Sequence, residues 1–547
     1  MSRQTSNSFP QEIWWLVSQE LANRHDFDGL FLCARSSKGM ASLALPELYA
    51  IHDESPAIDA HALDIERSIS LWRSIIVSSL GKTLFPYCCW IKALRLGRLY
   101  SQLEDISRDN PGLKAQFFSP PLEKLQIRRG RGKAFDIDAI IIEVACMVTD
   151  CIRTSADQQD KRVGLSTLEG YHLPTANLRT WVSGLSSLTS LSVRDGSVLT
   201  RDVARAIRAN CPAFRELECF FCKGTDVDKE LGGFLSNLEP NTLASFTILS
   251  VNEVERETFK ALRLHSQSLR FLELLSLERL AFESLNELQY CHELEALKLE
   301  GAPSTRHYPW NLDSKDVFQE VIQWLQNCTA LLDLSFTAVP AATTILAEVL
   351  KSPAVRLMNL SVQTFDLDTD FCSSLVHQRQ LRHLALYIRD EELLEADDGR
   401  RAVLAAAIAS CHHLRDLETN ELFSLEEVEK ICSSLPLLEN MVVNGDLIDD
   451  EFLVPISRLS NLKSLNIYGP SIISFNMLLK SLENMAADPE GHHEGLQLYI
   501  SDQNYDHKFT DQQEHKVASI MRDLFNGRFR VDHRQNPDEL HESDFSD

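Results

Sequence analysis

The sequence predicts an α/β repeat protein that begins with a short all-helical segment. The chain has 547 residues, which exceeds one ordinary hydrophobic core and favours several domains or a repeat architecture. A short leucine-rich pattern recurs along most of the chain. Ahead of it, residues 9–50 carry the apolar spacing of three short helices. The predicted fold is therefore a three-helix unit followed by stacked strand–helix repeats.

The repeat has the form L-x-x-L-x-apolar, and its clear copies follow one another at intervals of 24 to 37 residues. Clear copies begin at Leu188, Phe214, Leu243, Leu269, Leu294, Leu331, Leu357, Leu381, Leu414, Leu438 and Leu462. Weaker copies begin at Ile91, Leu122, Leu165 and Gly495. A period of about 20–29 residues with this pattern is typical of leucine-rich repeats.

Each copy predicts one strand, because alternate strand residues point to opposite faces. The second leucine and the next apolar residue should point inward, and their neighbours outward. Amphipathic segments such as 201–211 and 341–352 predict one helix per repeat. Stacking these units over residues 91–526 predicts a horseshoe-shaped solenoid with the strands on its concave side and the helices on its convex side. Residues 527–547 predict an acidic, disordered tail.

Composition narrows the functional classes. A net charge of −25 argues against nucleic acid and anionic membranes as partners, because both require a basic surface. We find no signal peptide and no apolar stretch of membrane-spanning length. The most apolar stretch, 135–152, contains four acidic residues and predicts a buried amphipathic helix. No serine-elbow, zinc-protease or dinucleotide motif occurs, so we expect a non-enzymatic protein without cofactor or metal.

The thirteen cysteines are scattered, which predicts reduced thiols and a cytoplasmic or nuclear location. Four of them stand three residues before the start of a repeat: Cys211, Cys291, Cys328 and Cys411. Leucine occupies that place in other copies, at Leu185, Leu435 and Leu459. The position therefore predicts a small buried apolar slot.

The tripeptide Gly81-Lys82-Thr83 matches the end of a phosphate-binding loop, but Ile76 replaces the first glycine that such a loop requires. We interpret it as a turn within the linker, residues 51–90, where one helix leads into the repeats.

The first helices then suggest a family. Residues 9–13 (FPQEI), residues 26–40 (DFDGLFLCARSSKGM) and Leu48-Tyr49 resemble the three helices of an F-box. Residues 71–96 resemble the stretch that joins F-box to repeats in filamentous-fungal members. The resemblance implies a substrate receptor of an SCF-type (cullin-RING) ubiquitin ligase, docked on a Skp-type adaptor and through it on a cullin. It implies these adaptor-binding residues: Phe9, Pro10, Glu12, Ile13, Leu16 and Leu30.

The repeats should then bind an unidentified target protein. Outward strand positions supply the candidates Glu218, Glu273, Lys298 and Tyr387. Two insertions, 301–316 and 387–401, interrupt the repeat spacing, and the first adds the candidates Tyr308 and Trp310. Aromatic residues of this kind are enriched at binding hot spots. The alternative is a ligase-independent interaction scaffold in which the first helices only cap the repeats.

Overall fold

The computed structural model describes residues 10–54, 63–129, 135–159, 164–171, 173–389, 398–445, 448–489, 491–502 and 508–533. The chain forms two compact units, Met1–Leu269 and Arg270–Asp547. Each unit combines parallel strands with helices, so the α/β prediction is confirmed.

The first unit opens with three helices, α1 (Gln11–Asn23), α2 (Phe27–Ser36) and α3 (Lys38–Ala50). Asp26 caps α2 by accepting from the Gly29 amide at 2.8 Å. Ser37 caps α3 by accepting from the Met40 amide at 3.1 Å. The three helices enclose a small core in which buried Ala22, Leu30 and Ala44 meet.

The remaining helices of this unit include the connection into the repeats. They are α4 (Leu63–Ser79), α5 (Leu96–Asp109), α6 (Pro111–Phe117), α7 (Ile137–Gln159), α8 (Thr175–Ser183), α9 (Arg201–Asn210), α10 (Val227–Leu235) and α11 (Arg256–Leu262). The strands are β1 (Ala93–Arg95), β2 (Thr167–Gly170), β3 (Ser190–Asp195), β4 (Glu216–Phe221) and β5 (Ser245–Ile248). They pair in chain order, all parallel.

The second unit continues the same alternation. Its helices are α12 (Arg279–Phe282), α13 (Trp310–Asp313), α14 (Lys315–Asn327), α15 (Ala342–Leu350), α16 (Thr369–Leu375), α17 (Asp398–Ala409), α18 (Leu425–Ser434), α19 (Leu453–Ile456), α20 (Phe475–Ala487) and α21 (Asp511–Phe525). Its strands are β6 (Phe271–Leu277), β7 (Ala296–Gly301), β8 (Asp333–Thr337), β9 (Asn359–Phe365), β10 (His383–Ile388), β11 (Asp416–Thr419), β12 (Asn440–Asn444), β13 (Ser464–Gly469), β14 (Gln497–Asp502) and β15 (Arg528–His533).

Strand register follows the sequence repeat. In the first unit Leu191 lies opposite Leu168 on one side and Leu217 on the other. These three residues are at most 1% exposed, because the second leucine of every copy occupies the same inward place. The four repeat-start cysteines are buried as well, which confirms the apolar slot. Helix α7 is buried along Ile140, Val144 and Val148, as predicted for that apolar stretch.

One predicted repeat is wrong. Residues 122–127 form no strand: a short 3-10 helix covers Glu123–Leu125, and β1 pairs directly with β2. The Arg73 guanidinium of α4 explains the difference. It donates to the carbonyl oxygens of Phe117 and Pro120, both at 2.7 Å. This anchors the segment ahead of 122–127 against α4 instead of on the sheet.

The repeats also extend beyond the predicted end at residue 526. Strand β15 pairs with β14 along its whole length, from Arg528 opposite Gln497 to His533 opposite Asp502. Its apolar residues Phe529 and Val531 alternate as in a strand, but no leading leucine marks the copy. The tail prediction for 534–547 lies outside the described residues.

The tripeptide at 81–83 is a turn that closes α4. Gly81 has a left-handed φ of 64°, a conformation that glycine adopts without steric cost. The Lys82 amide donates to the carbonyl oxygen of Val77 at 3.2 Å. This hydrogen bond satisfies a helix-end carbonyl and redirects the chain toward β1.

Candidate protein-binding surfaces

An exposed apolar face lies on the three-helix unit. On α1, Ile13, Leu16 and Val17 are 42%, 52% and 38% exposed, and their spacing places them on one side of the helix. On α2, Phe31 and Leu32 are 51% and 64% exposed. We call these five residues the apolar face. Large exposed apolar clusters on a folded unit mark interaction sites.

The face exists because α1 packs on its neighbours with small residues. Its buried positions are Ser18 and Ala22. The Ser18 hydroxyl donates to the carbonyl oxygen of Trp14 at 2.9 Å, so it stays satisfied inside the unit. With small residues at these buried positions, Ile13, Leu16 and Val17 are left toward solvent, whereas Leu21 packs against the core.

The predicted adaptor-binding residues separate into three groups. Ile13 and Leu16 belong to the apolar face, and Pro10 and Glu12 are exposed at the start of α1. Phe9 lies outside the described residues. The prediction for Leu30 is corrected, because its side chain is 0% exposed and packs in the core of the unit. A residue enclosed in this way contributes to the stability of the unit rather than to a contact surface.

A cavity of about 470 Å³ opens beside the first strands of the first unit. Arg95 lines it and pairs with Asp53 at 2.9 Å, and Arg98 donates to the carbonyl oxygen of Asp53 at 2.5 Å. Burial raises the pKa of Glu169 to about 7, although the two arginines act in the opposite direction. A Cβ on Gly97 would stand 2.3 Å from a Glu169 carboxylate oxygen, so any other residue at position 97 would force that carboxylate to shift.

The other side of this cavity is aromatic and cationic. The Arg194 guanidinium lies over the Tyr171 ring at 4.8 Å and over the Phe220 ring at 5.6 Å. The predicted residue Glu218 lines the cavity and accepts from the Ser192 hydroxyl at 2.6 Å. Such a mixture can bind both charged and apolar groups of a protein partner.

The sequence analysis missed Arg194 and Phe220 because the repeat pattern ends one residue before each of them, at its last apolar position. Both continue the outward alternation of their strands by one step, after Ser192 and Glu218 respectively. Extending the alternation to the strand ends would have found them. Arg98 and Tyr171 lie beyond their strands and follow from no repeat position.

In the second unit a groove of about 870 Å³ runs across the outward strand face. The predicted residue Lys298 lines it and lies opposite the predicted residue Glu273 in the strand register. Opposite charges facing each other across strands stabilise the pair. Further along the groove His383 contacts Asp416. The polar lining of the groove includes Lys298, Asp333, His383, Arg415, Asp416 and Glu418.

Tyr387 extends this surface. Its hydroxyl donates to the Glu418 carboxylate at 2.9 Å. Burial and this hydrogen bond raise the pKa of Tyr387 to about 12. The acidic part of the insertion that follows, residues 390–397, lies outside the described residues.

The prediction for Trp310 is corrected. Its side chain is 0% exposed and packs between Phe282 and Phe318, with ring centroids 5.2 and 5.3 Å away. Tyr308 is half-buried: its hydroxyl donates to Glu283 at 3.0 Å, and the Arg279 guanidinium lies 4.6 Å from its ring. The insertion that carries both aromatics is thus folded against α12 of the preceding repeat and α14 of its own repeat.

Within the described residues, no helix is long and apolar enough to cross a membrane. No protein-family model matches the chain, and no curated protein matches it. In architecture the chain is an α/β repeat protein with one parallel strand per repeat.

Two solved structures are similar at low levels. The crystal structure of the yeast Rad7 and Elc1 complex matches at 14% identity with a TM-score of 0.37, over 66% of this chain and 87% of that chain. The TLR13–ssRNA13 complex matches at 12% identity with a TM-score of 0.30, over 65% of this chain and 58% of that chain. At these levels neither structure bears on function.

Proposed function

We propose that this chain is the substrate-recognition subunit of an SCF-type (cullin-RING) ubiquitin ligase. In this proposal the three-helix unit docks on a Skp-type adaptor, which links it to a cullin, and the outward strand faces bind the target protein. The observation that carries the proposal is the apolar face, which lies on the helices whose sequence resembles an F-box.

The energetics of the apolar face support a docking role. Burying one side chain of the size of Leu, Ile or Phe contributes about 1.5–3 kcal/mol. Five such residues lie exposed on α1 and α2. A helical cap that only shielded the repeats would turn these residues toward the repeats. Their exposure instead favours a partner that covers them.

The outward strand faces support target binding. The cavity of the first unit and the groove of the second unit are lined by interspersed cations and carboxylates. Charged groups of both signs give specificity for a complementary protein surface. In the proposal the chain recognises its target, and the other ligase subunits supply ubiquitin-transfer chemistry.

The adaptor test replaces Ile13→Asp and Leu16→Asp together. We expect the full-length wild type to bind a purified Skp-type adaptor with micromolar or tighter affinity in calorimetric titration. Two buried charges at the interface should weaken binding at least about 30-fold, the effect of losing one hot-spot residue. The matched control is Leu84→Asp, which also replaces a leucine of the first unit, 73% exposed but outside the apolar face.

Circular dichroism should show the same helical content for all three proteins. If the wild type does not bind the adaptor, the hypothesis of a ligase receptor is excluded and the alternative of a ligase-independent scaffold is left. Equal loss of binding in the control would show that the apolar face is not the docking site. Affinity purification with mass spectrometry compares the partners of the wild type and the double variant. The double variant should lose the adaptor and the cullin but retain the target.

A further inference from the structure

Two consecutive cysteines and a third that is distant in sequence meet in the first unit. Cys88 and Cys89 end the 3-10 turn Tyr87–Cys89 that follows α4, and Cys151 lies in α7. The Cys88 sulfur lies 3.4 Å from that of Cys151 and 3.9 Å from that of Cys89. All three sulfurs fall within 4.8 Å of one another. Cys88 is buried, and the other two are half-buried.

These distances match metal coordination. Thiolates bound tetrahedrally to one Zn²⁺ at about 2.3 Å stand about 3.8 Å apart. The two sulfur separations at Cys88 lie on either side of that value, whereas a disulfide requires about 2.05 Å. The repeat cysteines differ: the Cys211 thiol, for example, donates to the carbonyl oxygen of Val182 at 3.3 Å and fills a slot.

The surrounding residues hold the cluster in place. The Cys88 amide donates to the Ser78 hydroxyl at 3.2 Å, which ties the turn to the end of α4. Cys151 is held by the 23-residue helix α7. Rigid elements therefore present the sulfurs, and the half-buried Cys89 and Cys151 leave a path for an ion from solvent.

We propose that Cys88, Cys89 and Cys151 form a binding site for a thiophilic metal ion, Zn²⁺ or Cu⁺. Thiolate sulfur is the ligand that both ions prefer. On binding, each thiol releases its proton to solvent as its metal–sulfur bond forms, and no electron is transferred. Three protein ligands satisfy trigonal Cu⁺, and they leave one position of tetrahedral Zn²⁺ for water.

The site would brace the three-helix unit. Tyr87, next to Cys88, stacks on Tyr49 of α3 with ring centroids 4.6 Å apart. The Tyr49 hydroxyl also lies 2.7 Å from that of Ser74 in α4. A metal that joins the turn Tyr87–Cys89 to α7 would thus fix the position of Tyr87, against which Tyr49 of α3 packs. Metal binding to the folded state raises the melting temperature by mass action.

The test uses the full chain, purified under reducing conditions and stripped of metal with a chelator. Cd²⁺ serves as a spectroscopic probe for thiolate coordination. We expect one equivalent of Cd²⁺ to produce a sulfur-to-metal charge-transfer band, and Cys151→Ser to lose it. The matched control is Cys146→Ser, which changes a half-buried cysteine of the same helix outside the cluster. It should keep the band.

A second measurement does not depend on any variant. Bound Zn²⁺ or Cu⁺ should protect the three cluster cysteines of wild type from alkylation, mapped by mass spectrometry, and should raise the melting temperature. Elemental analysis of the protein as purified from cells then identifies the resident ion. The proposal is overturned if the band survives in Cys151→Ser, if neither ion protects the cluster, or if the thiols form a disulfide and take up no metal.

Discussion

At the residue scale, Trp310 and Leu30 show how an apolar residue near a predicted interface can instead be part of the core. Trp310 begins the short helix α13, and two phenylalanine rings enclose it. Leu30 occupies the centre of the three-helix core. Both residues stand in segments with exposed neighbours, so their burial depends on which helix face turns inward. Their substitution should therefore affect stability before it affects binding.

We predict that Trp310→Ala lowers the free energy of unfolding by about 3–5 kcal/mol, the range for an aromatic-to-alanine change in a core. The physical reason is the cavity left between Phe282 and Phe318. Urea unfolding followed by circular dichroism measures it. Leu312→Ala is the control, since Leu312 is 76% exposed in the same helix and should change the free energy by about 0.5 kcal/mol or less. Similar effects for both variants would contradict the assignment of Trp310 to the core.

At the element scale, neighbouring repeats complete each other's helices. Helix α11 has no side-chain cap of its own at Glu255. Asp228 of α10 supplies one, accepting from the amides of Glu255, Glu257 and Thr258 at 2.8, 3.0 and 2.9 Å. A carboxylate at a helix N-terminus also favours the helix dipole. The cap therefore couples two consecutive repeats.

We predict that Asp228→Ala lowers the free energy of unfolding by about 1.5–3 kcal/mol, because hydrogen bonds to a charged group are lost and helix amides are left without that acceptor. Asp226→Ala is the control: it removes the same charge two residues away, where the side chain makes no cap hydrogen bond. Chemical denaturation of both variants tests the prediction. If the two substitutions destabilise the chain equally, the inter-repeat cap contributes nothing.

At the scale of the whole molecule, the last strand of a repeat sheet covers the strand before it and itself becomes the edge. Strand β15 covers the edge of β14, and the Tyr499 hydroxyl donates to the Asp532 carboxylate at 2.9 Å across this last pair. An edge strand exposes unpaired backbone groups and promotes association unless charged side chains protect it, and β15 carries Arg528, Arg530 and Asp532. The final strand therefore completes the second unit.

We predict that a chain ending at Asn526 melts at a lower temperature than a chain ending at His533. It loses the ladder between β14 and β15, and each backbone hydrogen bond contributes about 1 kcal/mol. Differential scanning calorimetry compares the two chains, and size-exclusion chromatography should show more association for the shorter one. Equal melting temperatures would mean that β15 is dispensable.

The sequence by itself determined the α/β class, the strand positions from the repeat at Leu188 to the repeat at Gly495 and the buried slot of Cys211, because a repeat of this length encodes alternation and packing locally. Tertiary structure decided what depends on distant segments: the burial of Leu30 and Trp310, the position of residues 122–127 beside α4, and the meeting of Cys88 with Cys151. Periodicity specifies which side of an element faces inward, whereas only packing specifies which remote element it meets there.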